Sequence, residues 1–129
     1  EGLDTLDRLF SRHANSMEYM RMLVKKAFEM ASSDLPDPEA VEIIGGGWVG
    51  EEALAIALYC AVKHFDDFER AMVAAVNHSG DSDSTGAITG NILGAAIGYD
   101  ALPEFYKKDL ELHDVILAVA DDLWEGKQR

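Results

Sequence analysis

The chain has one cysteine in 129 residues, Cys60, so no disulfide framework forms within it. That absence fits a reducing compartment. The apolar surroundings, Ala53-Leu54-Ala55-Ile56-Ala57-Leu58-Tyr59-Cys60-Ala61-Val62, predict a buried, inert thiol. Positive charge is scarce as well: 11 Lys and Arg against 24 Asp and Glu leave a net charge of −13, whose field opposes a phosphate backbone and argues against nucleic acid as a partner. No apolar run approaches the ~20 residues that span a bilayer, and the N-terminus lacks a basic-then-apolar signal pattern. The expectation is a soluble, cytoplasmic chain with no membrane partner. Alternation of apolar and polar residues, the mark of a half-buried strand, occurs nowhere at useful length.

What is present is helical periodicity. At this length a 48% hydrophobic content fills one core in one domain. Leu3, Leu6, Leu9, Phe10, Met17, Met20, Leu23, Val24, Ala27 and Phe28 recur at mostly three- and four-residue steps, bridged by Ala14, and predict a scaffold helix from about Leu3 to Ala31. Met22 and Met30 also lie in it; methionines on the stripe read as core rather than as a pliable groove. Asp37 and Pro38 predict an N-cap and first-turn proline for a short helix to Ile44. Gly45-Gly46-Gly47 then reads as a flexible connection, because a phosphate cradle would call for a preceding strand or a following Lys. From about Val49 to Val62 the chain is apolar almost all round, a buried central helix with Glu51 and Glu52 in its first turn, where the helix dipole favours them. Asp66 and Glu69 match a capping box opening a helix to about Asn77, which accounts for Asp66 and Asp67 without a metal. A helix from about Ser84 to Ile97 and an amphipathic segment from about Leu110 to Trp124 complete a predicted all-α, compact helical bundle.

Between two of these helices lies Gly80-Asp81-Ser82-Asp83-Ser84-Thr85-Gly86. Two Asp one residue apart repel unless a cation or a set of donors compensates, and their hard oxygens suit Mg²⁺, Mn²⁺ or Ca²⁺ rather than Zn²⁺. A calcium loop of the EF-hand type would place Asp81, Asp83, Thr85 and Gly86 at positions 1, 3, 5 and 6, but position 12, where a bidentate Glu belongs, is Ile92. Plain helix capping needs one side chain, and Asp81, Asp83 and Ser84 exceed that. These three are the candidate metal ligands. His78, beside the turn, is a candidate for orienting a ligand, although a plain surface or helix-end histidine is the simpler reading; His13, His64 and His113 receive no role. Gly86, Gly90, Gly94 and Gly98 follow at four-residue spacing. Each internal Gly costs about 1 kcal/mol relative to Ala, a cost that close approach of another helix or a ligand would offset.

The segment His78-Ser79-Gly80-Asp81-Ser82-Asp83-Ser84-Thr85-Gly86-Ala87-Ile88-Thr89-Gly90 resembles the C-terminal metal motif of the ADP-ribosylglycohydrolase family, and Gly47-Trp48-Val49-Gly50-Glu51-Glu52-Ala53-Leu54 resembles a second family segment. The likeness covers roughly positions 40 to 125. It implies an all-α fold, a binuclear Mg²⁺ or Mn²⁺ centre, and hydrolysis of the glycosidic bond between ADP-ribose and a protein side chain. An ADP-ribosylated protein or an ADP-ribose-type small molecule would then be the partner, and Asp81, Asp83 and Ser84 would stand as the C-terminal metal ligands. The family's Thr-Asp-Asp cluster is missing here, family chains are considerably longer, and the chain opens Glu1-Gly2-Leu3 without Met. The expectation is therefore the C-terminal part of a longer glycohydrolase, a part catalytically incomplete alone and able to lack the metal. The alternative is a noncatalytic ADP-ribose-binding or structural helical module. Surface uncovered by absent helices would favour a homodimer, face to face or domain-swapped.

Overall fold

The computed structural model describes Thr5 and residues 14–126, and every regular element among the described residues is helical. They are α1 (Ala14–Ala31), α2 (Asp37–Ile44), α3 (Gly50–Lys63), α4 (Phe68–Val76), α5 (Ser82–Ile97), two 3-10 turns (Tyr99–Ala101 and Glu104–Tyr106) and α6 (His113–Glu125). This is the all-α bundle that periodicity predicts. Part of the expected first helix, with Leu3, Leu6, Leu9 and Phe10, lies outside the described residues, as does His13. No helix among the described residues is long and apolar enough to cross a membrane.

The central position of α3 follows from its small apolar residues. It packs against α1, α2, α4 and α5, burying Ala53, Ala55, Ile56, Ala57, Tyr59, Cys60 and Ala61. Alanine lets neighbouring backbones approach, and the larger side chains fill the remaining space: Leu23 from α1, Val41 and Ile44 from α2, and Leu93 from α5. Full burial of each such Leu, Ile or Val stabilises the fold by about 1.5–3 kcal/mol. Burial pushes the Cys60 thiol up to about 12, so the cysteine is the inert core residue expected.

Three local readings are corrected. Asp37 is not the N-cap of α2; Pro36 flanks the helix and Asp37 is its first residue. Its Oδ1 accepts from the Tyr59 hydroxyl at 2.6 Å and lies 3.0 Å from His64 Nε2 and 3.5 Å from Lys63 Nζ. These partners at the C-terminal end of α3 hold the carboxylate away from its own helix, so Asp37 clamps α2 onto α3. Asp67, not Asp66, caps α4, accepting from the Arg70 amide at 3.0 Å. Finally, α5 starts at Ser82 and α6 at His113, two residues earlier and three later than periodicity suggests.

The glycine stripe of α5 divides by position. A Cβ on Gly86 would strike Val76 Cγ1 at 2.8 Å, the expected close approach between α4 and α5, whereas a Cβ on Gly94 would meet nothing within 4 Å. Gly98 ends the helix at φ +81°, a conformation glycine adopts at little cost.

Candidate functional site

The acidic turn is built from a helix end, a glycine contact and a helix start. As α4 finishes, the Asn77 side-chain amide donates to the Val73 carbonyl at 2.8 Å, closing the helix. His78 then folds into the turn rather than outward: its Nδ1 accepts the Gly80 amide at 3.1 Å, so the ring proton belongs on Nε2, 2.9 Å from Thr85 Oγ1. The buried Thr85 hydroxyl in turn donates to the Ala75 carbonyl at 2.6 Å. One chain of hydrogen bonds therefore ties the end of α4, the turn and the first turn of α5 together. His78 is not a plain surface residue.

A second tie comes from the triple glycine. The Asp81 amide donates to the Gly46 carbonyl at 2.9 Å, and a Cβ on Gly80 would fall onto that same carbonyl. Only glycine permits the two segments to approach so closely. The Gly46 and Gly47 amides both donate to Glu52 Oε2 at 3.1 Å. The glycines are thus a clasped loop, not a flexible connection, and the anion in their amide cradle is an internal carboxylate.

The three candidate ligands sit together at the entry to α5. Asp81 holds the N-cap position, yet its carboxylate makes no capping hydrogen bond; its backbone does the local work, the carbonyl accepting from the Thr85 amide at 3.2 Å. Asp83 is exposed, and its Oδ1 accepts the Ser84 amide at 3.0 Å. A hydrogen bond shared with the Asp81 carboxyl, then the backbone amides of Ser84 and of Asp83 itself, hold the Asp83 carboxyl below the usual carboxylate range.

The donor set fits part of a coordination sphere. Two carboxylates and the Ser84 hydroxyl are hard oxygens of the kind Mg²⁺ and Mn²⁺ accept, and the positive end of the α5 dipole offsets some of their repulsion. Six ligands complete such a site, and no group of three or more acidic, histidine or cysteine side chains able to hold a metal occurs among the described residues. Glu52, Gly46 and Thr85 support the turn, a role that motif reading does not assign them although Glu52 and Thr85 lie within the family-like segments. Glu52 meets Gly46 and Gly47 only six and five residues away, but the bond from the Asp81 amide to Gly46 joins segments far apart in sequence.

The fold and turn define an all-helical chain with a carboxylate pair at a helix entry. The ADP-ribosylglycohydrolase family model matches residues 1–129, and the chain belongs to that family. Among curated relatives, ADP-ribosylhydrolase ARH3 of Bos taurus is 25% identical over 111 residues, covering 78% of this chain and 30% of the relative. ADP-ribosylhydrolase ARH1 of Dictyostelium discoideum is 32% identical over 78 residues, covering 60% and 20%. ADP-ribosylarginine hydrolase Tri1 of Serratia proteamaculans is 28% identical over 118 residues, covering 92% and 30%. The chain spans less than a third of the length of these relatives. No solved structure gives a significant match.

Proposed function

We propose that Asp81, Asp83 and Ser84 supply one side of a divalent-cation centre, Mg²⁺ or Mn²⁺, in a hydrolase that cleaves the glycosidic bond between ADP-ribose and a protein side chain or small molecule. The observation that carries this reading is the Asp81 carboxylate, which occupies a cap position without capping and stands beside Asp83. Family membership supports the reaction class, and the relatives' names support an ADP-ribosylated protein or ADP-ribose-type small molecule as partner. Once bound, the cation would supply Lewis acidity and lower the pKa of a bound water. The chain's own residues hold the ligands in place: His78 and Thr85 fix the turn, and the N-terminal amides of α5 moderate the charge of the carboxylate pair.

A binuclear centre needs more carboxylates than the turn brings together, and the 129 residues contain no Thr-Asp-Asp cluster. For the 129 residues by themselves the second reading is a noncatalytic ADP-ribose-binding or structural module. Calorimetric titration of Mg²⁺ and Mn²⁺ into the chain tests the site. We expect saturable binding that Asp81→Asn and Asp83→Asn each weaken by roughly 10- to 100-fold; binding unchanged in both variants sinks the ligand assignment. Release of free ADP-ribose from an ADP-ribosylated peptide by the chain alone removes the idea that it is incomplete.

Two further expectations belong here. The lone buried Cys60 suits a reducing compartment such as the cytoplasm. A homodimer would cover apolar side chains that α6 leaves exposed, among them Val115, Ile116, Leu123 and Trp124; light scattering at the 14.1 kDa monomer mass removes that proposal.

A further inference from the structure

The geometry points to Glu52 as the residue that positions Asp81, acting through a single peptide plane. This inference rests on the reading of Asp81 as a metal ligand. The Gly46 carbonyl and the Gly47 amide belong to one peptide unit, which resonance keeps planar. At one end of that plane the Gly47 N–H donates to Glu52 Oε2 at 3.1 Å, and at the other the Gly46 carbonyl accepts the Asp81 N–H at 2.9 Å. Fixing the N–H fixes the direction of the carbonyl. A carboxylate on the N–H side also polarises the unit and strengthens the carbonyl as an acceptor.

Three successive glycines would otherwise leave this loop free, since glycine populates more backbone conformations than any other residue. Glu52 removes that freedom with a second bond, from the Gly46 amide to the same Oε2 at 3.1 Å. Its own carboxylate is anchored on the first turn of α3, and Oε1 receives the Tyr19 hydroxyl at 3.3 Å. A rigid helix therefore holds a carboxylate, the carboxylate holds a peptide plane, and the plane holds the backbone of Asp81. Glu51, next in sequence and equal in charge, has no such contact with the loop and serves as the control.

The test measures Asp81 amide exchange by NMR and Mn²⁺ affinity by EPR titration on the 129-residue chain, with Glu52→Ala, Glu52→Asp, Glu52→Gln and Glu51→Ala. Glu52→Ala removes the acceptor, and Glu52→Asp keeps the charge but shortens the reach. Both should speed exchange of the Asp81 amide about tenfold or more, the equivalent of one net hydrogen bond, and weaken Mn²⁺ binding by roughly 10- to 100-fold. Glu52→Gln retains a carbonyl acceptor and should recover most of the protection, while Glu51→Ala should match the unsubstituted chain. If Glu52→Ala fails to fold, Glu52→Asp carries the comparison. Asp81 exchange in folded Glu52→Asp equal to that of the unsubstituted chain overturns the inference. Faster exchange in a chain that binds no Mn²⁺ at all upholds the positioning role and removes only the idea that these 129 residues hold the cation by themselves.

Discussion

Replacing Gly80 by Ala sets two opposing effects against each other at the acidic turn. Gly80 does not sit in the left-handed region, so alanine can adopt its backbone conformation. Taken alone, such a change stabilises by about 0.4–1 kcal/mol, because it restricts the unfolded chain. Against this, the new Cβ would land on the Gly46 carbonyl, a backbone atom that no rotamer change moves aside. The two segments must separate, and the bond from the Asp81 amide to that carbonyl is lost with them. The lost half-buried bond costs about 1–3 kcal/mol, and overpacking strain adds about 1–3 kcal/mol. Contact outweighs entropy, and the net destabilisation is about 1–5 kcal/mol, a lowering of Tm by roughly 4–20 °C for a chain of this size. Circular dichroism melts measure it. Gly94→Ala is the opposite case, because Gly94 lies inside α5 with open space around it; there Ala should stabilise by about 1 kcal/mol and raise Tm by roughly 3–5 °C. A Gly80→Ala chain that melts at or above the unsubstituted one refutes the reasoning.

The Asp37 clamp makes a prediction about acid stability. Burial raises the Asp37 carboxyl, but the Tyr59 hydroxyl, the His64 ring and the Lys63 ammonium outweigh it and hold the group below its ordinary range. A carboxyl depressed in the folded state contributes stability that is complete above its unfolded pKa, about 3.9, and is lost as pH falls through the folded value. Tyr59→Phe removes a donor at 2.6 Å. It should cost about 1–2 kcal/mol at neutral pH, toward the low end because Asp37 is partly solvated, and should move the acid limb of unfolding to higher pH; an unshifted acid limb counts against the clamp. Cys60, fully buried and with its thiol pushed up to about 12, should react with a disulfide reagent at pH 8 only as fast as the fold opens. Rapid stoichiometric labelling of the native chain would show that the core around α3 is not closed.

The helices were legible because apolar spacing reports burial directly, and α3 shows this most clearly: an apolar run flanked by Gly50 and Lys63 became the central element. Ends were less legible. Asp66 and Glu69 match a capping box on paper, but the backbone turns so that the Arg70 amide meets Asp67, and adjacent acidic residues cannot be told apart without that turn. Asp37 misled for a different reason. Its best partners, Tyr59, Lys63 and His64, come from the far end of another helix, and tertiary donors override a local cap.

The same division runs through the site and explains why its support escapes motif reading. Asp81, Asp83 and Ser84 lie within four residues, so charge crowding is visible in the sequence itself. Glu52 is another acidic residue in a chain of net charge −13, and near two aspartates it would be expected to repel a ligand pair rather than serve it. Its oxygens, however, are taken up by the Gly46 and Gly47 amides and the Tyr19 hydroxyl, which moderate its charge and convert it to direction. Because those donors are mostly backbone N–H groups, no side-chain pattern announces them. Two glycines that look permissive in sequence thus become the rigid part of the site only once an acid 29 residues before Asp81 is folded against them.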